Sequence, residues 1–203
     1  MIEIISINEN VDENGIVTSI AQDEEYYPGL IVKVISPAYY YEKKYGDEYS
    51  LNIIESKKSD VSSFFLKRVI KTIEKYRQDL DNCEIITIIP TSKPKLRVSP
   101  TLNSIANHLS KHLDIPYEQI IKKIVFRISS GRTRKDRFNA VNGTMLVKGA
   151  SVKGKKVLLL DDLRTSGMSI LEATKILKNA GVENVVCLCL GTHTNEVPLD
   201  REI

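Results

Sequence analysis

The feature that most constrains this 203-residue chain is a run of four apolar residues, Val157, Leu158, Leu159 and Leu160, that ends abruptly in two carboxylates, Asp161 and Asp162. A segment that is apolar at every position, rather than at every second one, reads as a strand buried on both faces. Residues 84–90 and 185–190 form similar runs. Amphipathic helical patterns lie beside them. Val61, Phe65, Val69, Ile73, Tyr76 and Leu80 recur at three- and four-residue spacing, with Ser59 or Asp60 placed to cap them, as do Leu102, Ile105, Ala106, Leu109 and Leu113. Ser99-Pro100 supplies an N-cap and a first-turn proline for the second of these helices. A third helix is expected over residues 169–180, closed by Gly181. Buried strands alternating with amphipathic helices predict the α/β class: an open, mostly parallel sheet with helices on both faces.

The amino-terminal part reads differently. Short strands are expected at residues 2–7, 15–20 and 30–35, separated by Asn, Asp, Gly and Pro turn signals. Residues 1–60 are therefore expected to form a small β-rich hood or appendage, and residues 61–203 the α/β core. Residues 37–58 show no clear period. Residues 120–128 read as a strand, residues 129–142 as a polar basic stretch, residues 143–147 as a short segment and residues 149–155 as a turn.

Charge divides along the same line. Residues 1–60 carry 5 basic and 12 acidic side chains, against 24 and 14 in the remainder. A basic body suits anionic ligands such as phosphates, and a nucleic-acid partner is compatible with it, although no recognised nucleic-acid motif supports one. No apolar run reaches the roughly 20 residues that cross a bilayer. With no basic and apolar leader at the start, a cytoplasmic protein without membrane association is expected. Cys83, Cys187 and Cys189 make neither a C-x-x-C pair nor an even set, and Cys187 and Cys189 read as small buried hydrophobes on one face of a strand. His108 and His112 are four residues apart, but Leu109 stands where a zinc-protease helix has Glu, so they read as surface residues.

The chemistry is concentrated just after the central strand. In an open α/β sheet, ligands bind outside the carboxyl ends of strands, where the next helix begins. At this junction stand Asp161, Asp162, Arg164, Thr165, Ser166, Gly167, Met168 and Ser169. Gly167 lets the backbone approach a phosphate, helix-start amides point at it, and the hydroxyls add donors. The carboxylates would repel a phosphate they touched, and make sense as acceptors for sugar hydroxyls nearby. A P-loop is absent, since Gly154-Lys155-Lys156 precedes the strand.

Four apolar residues, two acidic ones and then Leu-Arg-Thr-Ser-Gly-Met-Ser resemble the phosphoribosyl pyrophosphate (PRPP) motif of type I phosphoribosyltransferases. The resemblance implies that Asp161 and Asp162 bind ribose hydroxyls, while Arg164, Thr165, Ser166, Gly167, Met168 and Ser169 wrap the 5-phosphate. It places pyrophosphate on the loop of Thr91, Ser92, Lys93 and Pro94, after the strand ending at Pro90. It also implies a mobile lid between these elements. Residues 122–137 carry seven basic side chains and one acidic one, and Arg132, Arg134 and Arg137 are the lid candidates. The order of elements, with Asn139 and Gly143 behind the basic stretch, most resembles the ComF-like branch. This chain lacks that branch's amino-terminal zinc ribbon, and the Asn139-to-Gly143 spacing is looser. The resemblance covers residues 84–191 and does not reach residues 1–60.

On this resemblance the chain binds PRPP with Mg²⁺, the ion bridging substrate oxygens rather than held directly by protein ligands. It transfers the phosphoribosyl group to a nitrogen nucleophile such as a nucleobase, with Asp161, Asp162 and Lys93 as candidate catalytic residues. A homodimer is common in the family. The rival reading is a non-catalytic regulator or interaction module that keeps the same pocket. Seven of the nine tyrosines, Tyr26, Tyr27, Tyr39, Tyr40, Tyr41, Tyr45 and Tyr49, fall in the acidic amino-terminal part. They read as packing or interface residues in preference to a stacking surface for an acceptor base.

Overall fold

A computed structural model of the chain describes residues 9–80, 82–92, 97–126, 133–148 and 152–195. In chain order the elements are β1 (Asn10–Val11), β2 (Val17–Asp23), β3 (Tyr27–Ser36), β4 (Tyr39–Tyr40), a 3-10 turn (Lys43–Tyr45), α1 (Glu48–Glu55), α2 (Ser62–Lys75), α3 (Arg77–Leu80), β5 (Ile85–Ile88), α4 (Pro100–Leu113), β6 (Ile121–Lys123), α5 (Arg134–Val141), β7 (Met145–Val147), β8 (Lys156–Arg164), α6 (Met168–Asn179) and β9 (Asn184–His193).

The all-apolar runs occupy the middle of the sheet. β8 pairs in parallel with β5 on one side, Ile88 opposite Leu160, and with β9 on the other, Leu160 opposite Leu188. β9 pairs in parallel with β3, and β4 extends the same edge of β9. The spatial order is β1-β2-β3-β9-β8-β5, with the first two pairings antiparallel. Val157 and Leu159 enter a core layer with Ile170, Leu171 and Leu177 of α6, while Leu158 and Leu160 enter a second layer with residues of α1, α2 and α4. Helices thus cover both faces, as expected for strands apolar at every position. α4 begins where Ser99-Pro100 predicts, Ser99 accepting a hydrogen bond from the Leu102 amide.

Several boundaries differ from the sequence expectations. The strand expected at residues 2–7 lies outside the described residues. The other two amino-terminal strands are longer than expected and continue the main sheet, because β3 bonds directly to central β9. The strand expected over residues 120–128 shrinks to β6, which pairs with β7 in a separate two-stranded sheet. Part of the polar basic stretch is helical: Thr133 and Asp136 form a reciprocal cap that starts α5. The loop expected at residues 161–167 is strand as far as Arg164, because β9 is long enough to pair with it at Gly191 and Thr192. No helix among the described residues is long and apolar enough to cross a membrane.

Candidate functional site

The carboxyl end of β8 presents Asp161 and Asp162 in succession, and alternation along a strand sends neighbouring side chains to opposite faces. Two lysines act on the pair. Asp162 Oδ2 lies 3.3 Å from Nζ of Lys57, just beyond α1. Asp161 feels the charge of Lys123 on β6, whose own ammonium is held below the usual lysine range by burial, an effect that Asp161 partly offsets. Burial, then repulsion from Asp162, pushes the Asp161 carboxyl up to about 8. A carboxyl held in its protonated form repels an anionic ligand less than a carboxylate does.

The turn that follows, Thr165 to Gly167, is built by conformation. Gly167 has φ of +75°, and a Cβ there would stand 3.1 Å from the Ala21 Cβ, so a glycine meets both the left-handed backbone and the tight approach of β2. Gly167 caps α6 with no side-chain hydrogen bond, so the first-turn amides of the helix take no capping side chain. Asp161, Leu163 and residues 164–170 line a small pocket of about 30 Å³ at this point. A larger cavity of about 290 Å³ lies at the opposite ends of the strands, beside Lys156, Val157 and Asn184. Parallel sheets bind ligands at their carboxyl ends, so the smaller pocket is the candidate site.

Thr165 is exposed, and Ser166 and Ser169 are half-buried, so their hydroxyls border the pocket. Met168 packs its side chain into the core and offers the site only its backbone. Arg164 also lines the pocket. It is 2% exposed, and its guanidinium donates to Oε1 of Glu9 at 2.9 Å, while its Nε has no hydrogen-bond partner. As the last residue of β8 it points into the protein, where Ser36 and Thr192 share a buried hydrogen bond of 2.8 Å.

The end of β5 lies alongside the acidic pair, the Ile89 amide donating to the Leu160 carbonyl at 2.9 Å. Thr91 and Ser92 follow at once, and the Thr91 amide donates to the Arg97 carbonyl at 3.2 Å, closing the turn. Lys93, Pro94 and Arg132 lie outside the described residues. Arg134, on α5, is held by the hairpin of β2 and β3, its Nε donating to Oδ2 of Asp23 at 2.6 Å. Arg137, on the same helix, acts on His193, whose imidazole is held below its usual range first by burial and also by the Arg137 charge.

The tyrosines are mostly structural. Tyr26 stacks on Phe138 with ring centroids 4.3 Å apart, the Tyr27 hydroxyl donates to buried Glu172 at 3.0 Å, and the Tyr49 hydroxyl donates to the Leu190 carbonyl at 2.8 Å. Cys187 and Cys189 are buried on one face, with sulfurs 3.7 Å apart. Sequence reasoning missed Lys57, Lys123 and Glu9. Lys57 and Lys123 each sit in a segment with no period that marks a site, and their approach to the carboxylates is a product of chain crossing.

An acidic pair at the carboxyl end of a central parallel strand, followed by a hydroxyl-rich turn and a helix start with no side-chain cap, makes up the candidate site of this α/β protein. Residues 103–202 match the family model described as phosphoribosyl transferase domain. The chain is 51% identical over 51 residues to an orotate phosphoribosyltransferase of Acinetobacter baylyi, covering 25% of this chain and 23% of that protein. Orotate phosphoribosyltransferases of Acinetobacter baumannii strains are 49% identical over the same length. The chain spans about a quarter of the length of these relatives. Among solved structures, the allosteric regulatory enzyme of purine biosynthesis is similar with a TM-score of 0.38 and 19% identity, covering 56% of this chain and 23% of that one. The family model thus matches just under half of this chain, and the likeness to the orotate enzymes a quarter of it.

Proposed function

We propose that this chain is a phosphoribosyltransferase that binds PRPP with Mg²⁺ and passes its phosphoribosyl group to a nitrogen nucleophile, releasing pyrophosphate. The observation that carries this reading is the junction of β8 and α6, where Asp161, the hydroxyls of Thr165, Ser166 and Ser169 and the Gly167 turn share one pocket, with Asp162 next to Asp161 along the strand. The helix-start amides and the hydroxyls would hold the 5-phosphate. Asp162 would accept from a ribose hydroxyl, and Asp161, largely protonated at neutral pH, can both accept and donate. Arg164, which lines the same pocket, is itself held by Glu9.

Thr91 and Ser92, with Lys93 and Pro94 beyond the described residues, would take the pyrophosphate. Arg134 and Arg137, both on α5, are the described lid candidates. On this reading the magnesium ion would be held by the oxygens of PRPP, with no ligand taken directly from the protein. Bound in that way, the ion would neutralise charge on the departing pyrophosphate. As the C1–O bond loosens, the protein's task is to fix the sugar and stabilise the leaving anion, and no side chain has to act as a covalent nucleophile. A place in the ComF-like branch, a cytoplasmic location and a homodimer belong to the same reading. The named relatives make orotate the first acceptor to try.

The test is pyrophosphate release from PRPP against orotate and a panel of other bases, with the wild type and an Asp161→Asn/Asp162→Asn variant. Turnover with at least one base, lost in the variant, is the expected outcome. Tight PRPP binding with no turnover on any base would leave a non-catalytic regulator, and an unaffected variant would remove the site assignment.

A further inference from the structure

We propose that Lys57 is a further pyrophosphate-binding residue, set between the acidic pair and the end of β5 to hold the leaving-group end of PRPP; the inference rests on the function proposed above. Three contacts fix its place. Its ammonium is 3.3 Å from Asp162 at the carboxyl end of β8. The carbonyl of the preceding residue, Ser56, accepts a 2.7 Å hydrogen bond from Ser99, the residue that caps α4. Two residues further on, the Ser59 carbonyl accepts from Thr101 at 2.8 Å. The backbone on both sides of Lys57 is therefore tied to the start of α4, which follows the turn that Thr91 opens. The bond between the Ile89 amide and the Leu160 carbonyl brings the end of β5 to the same point.

Lys57 has donors to spare there. One of its three N–H groups is directed at Asp162, and the side chain is 42% exposed. A fully sequestered partner of Asp162 would be buried with its donors consumed. A cation held by rigid backbone on one side, and open to solvent on the other, is arranged to meet an anion that arrives beside the carboxylate. The Lys57 charge also acts against the elevation of the Asp161 carboxyl, so it reaches both acids. Pyrophosphate is the anionic end of PRPP remote from the 165–169 turn, and the end of β5 is the side from which it would enter.

The experiment compares two ligands that differ in the pyrophosphate, PRPP and ribose 5-phosphate, by calorimetric titration of the full chain. Wild type, Lys57→Gln, Lys57→Arg and Lys58→Gln are used, the last because Lys58 pairs instead with Glu55 at 3.7 Å. Lys57→Gln is expected to weaken PRPP binding roughly tenfold or more, the scale of one charge-assisted hydrogen bond. Ribose 5-phosphate should bind the same variant within about twofold of wild type, because loss of a partly exposed ion pair alone has little effect. Lys57→Arg should restore most of the PRPP affinity, and Lys58→Gln should match wild type for both ligands. Equal weakening for the two ligands would make Lys57 only a support for Asp162, and unchanged PRPP affinity would remove it from the site; either result overturns the inference. Failure of the wild type to bind either ligand would instead bring down the function on which it rests.

Discussion

Asp161 is the residue where position most alters chemistry. Its folded carboxyl, pushed to about 8 from an ordinary 3.8, keeps its proton where the unfolded chain has lost it. The folded state then binds more protons than the unfolded state between those two values, so stability from this group is full below about pH 4 and is lost as pH rises to about 8. Asp161→Asn removes that titration. The variant should show a flatter stability profile and be more stable than wild type at pH 9 by on the order of 1 kcal/mol or more, measured by urea unfolding at pH 5, 7 and 9. An unchanged slope would show that the carboxyl ionises freely in the folded protein. That Asp161 and Asp162 stand together where a buried apolar run ends is legible in the sequence. Their inequality is not, because it depends on what buries each one.

At the scale of elements, α5 shows how a charged stretch can be structural. Its start is capped by Thr133 and Asp136, Phe138 stacks on Tyr26, and Arg134 pairs with Asp23, which is 3% exposed. Arg134→Ala strands that buried carboxylate with the Tyr26 amide as its remaining hydrogen-bond donor among the contacts above. A loss of roughly 1–3 kcal/mol in unfolding free energy is expected. Hydrogen exchange should show weaker amide protection across α5 in the same variant. Arg137→Ala should leave both nearly unchanged, since its side chain has no such buried partner to abandon. The helix was hidden in the sequence by its low apolar content: residues 134–141 include Arg134, Lys135, Asp136 and Arg137 in a row. Its amino-terminal T-x-x-D was the available signal. Aromatic contact with the hairpin then supplies what helical periodicity does not.

For the whole molecule, the sheet order joins the acidic amino-terminal part to the basic core. β3 is the neighbour of β9, and β9 is the neighbour of β8, so the strand that carries the acidic pair is supported through residues near the start of the chain. A chain cut to residues 61–203 would leave one edge of β9 unpaired and uncover the layer holding Val186 and Leu188. It should not fold alone, whereas the full chain should unfold in one cooperative transition by circular dichroism. A folded, PRPP-binding 61–203 fragment would instead make the first 60 residues a true appendage.

Local patterns in the sequence were enough for the buried strands, the start of α4, the junction after Leu160 and the glycine that turns it. Each is set by neighbours within a few residues: apolar runs, a serine–proline cap, a left-handed turn. The tertiary structure alone decided that β8 continues to Arg164, that Arg164 turns inward to Glu9, and that Lys57 meets Asp162. Those contacts join residues far apart in the chain. They exist because β3, β9 and β8 lie side by side, and pairing order is a property of the assembled sheet that no local period encodes.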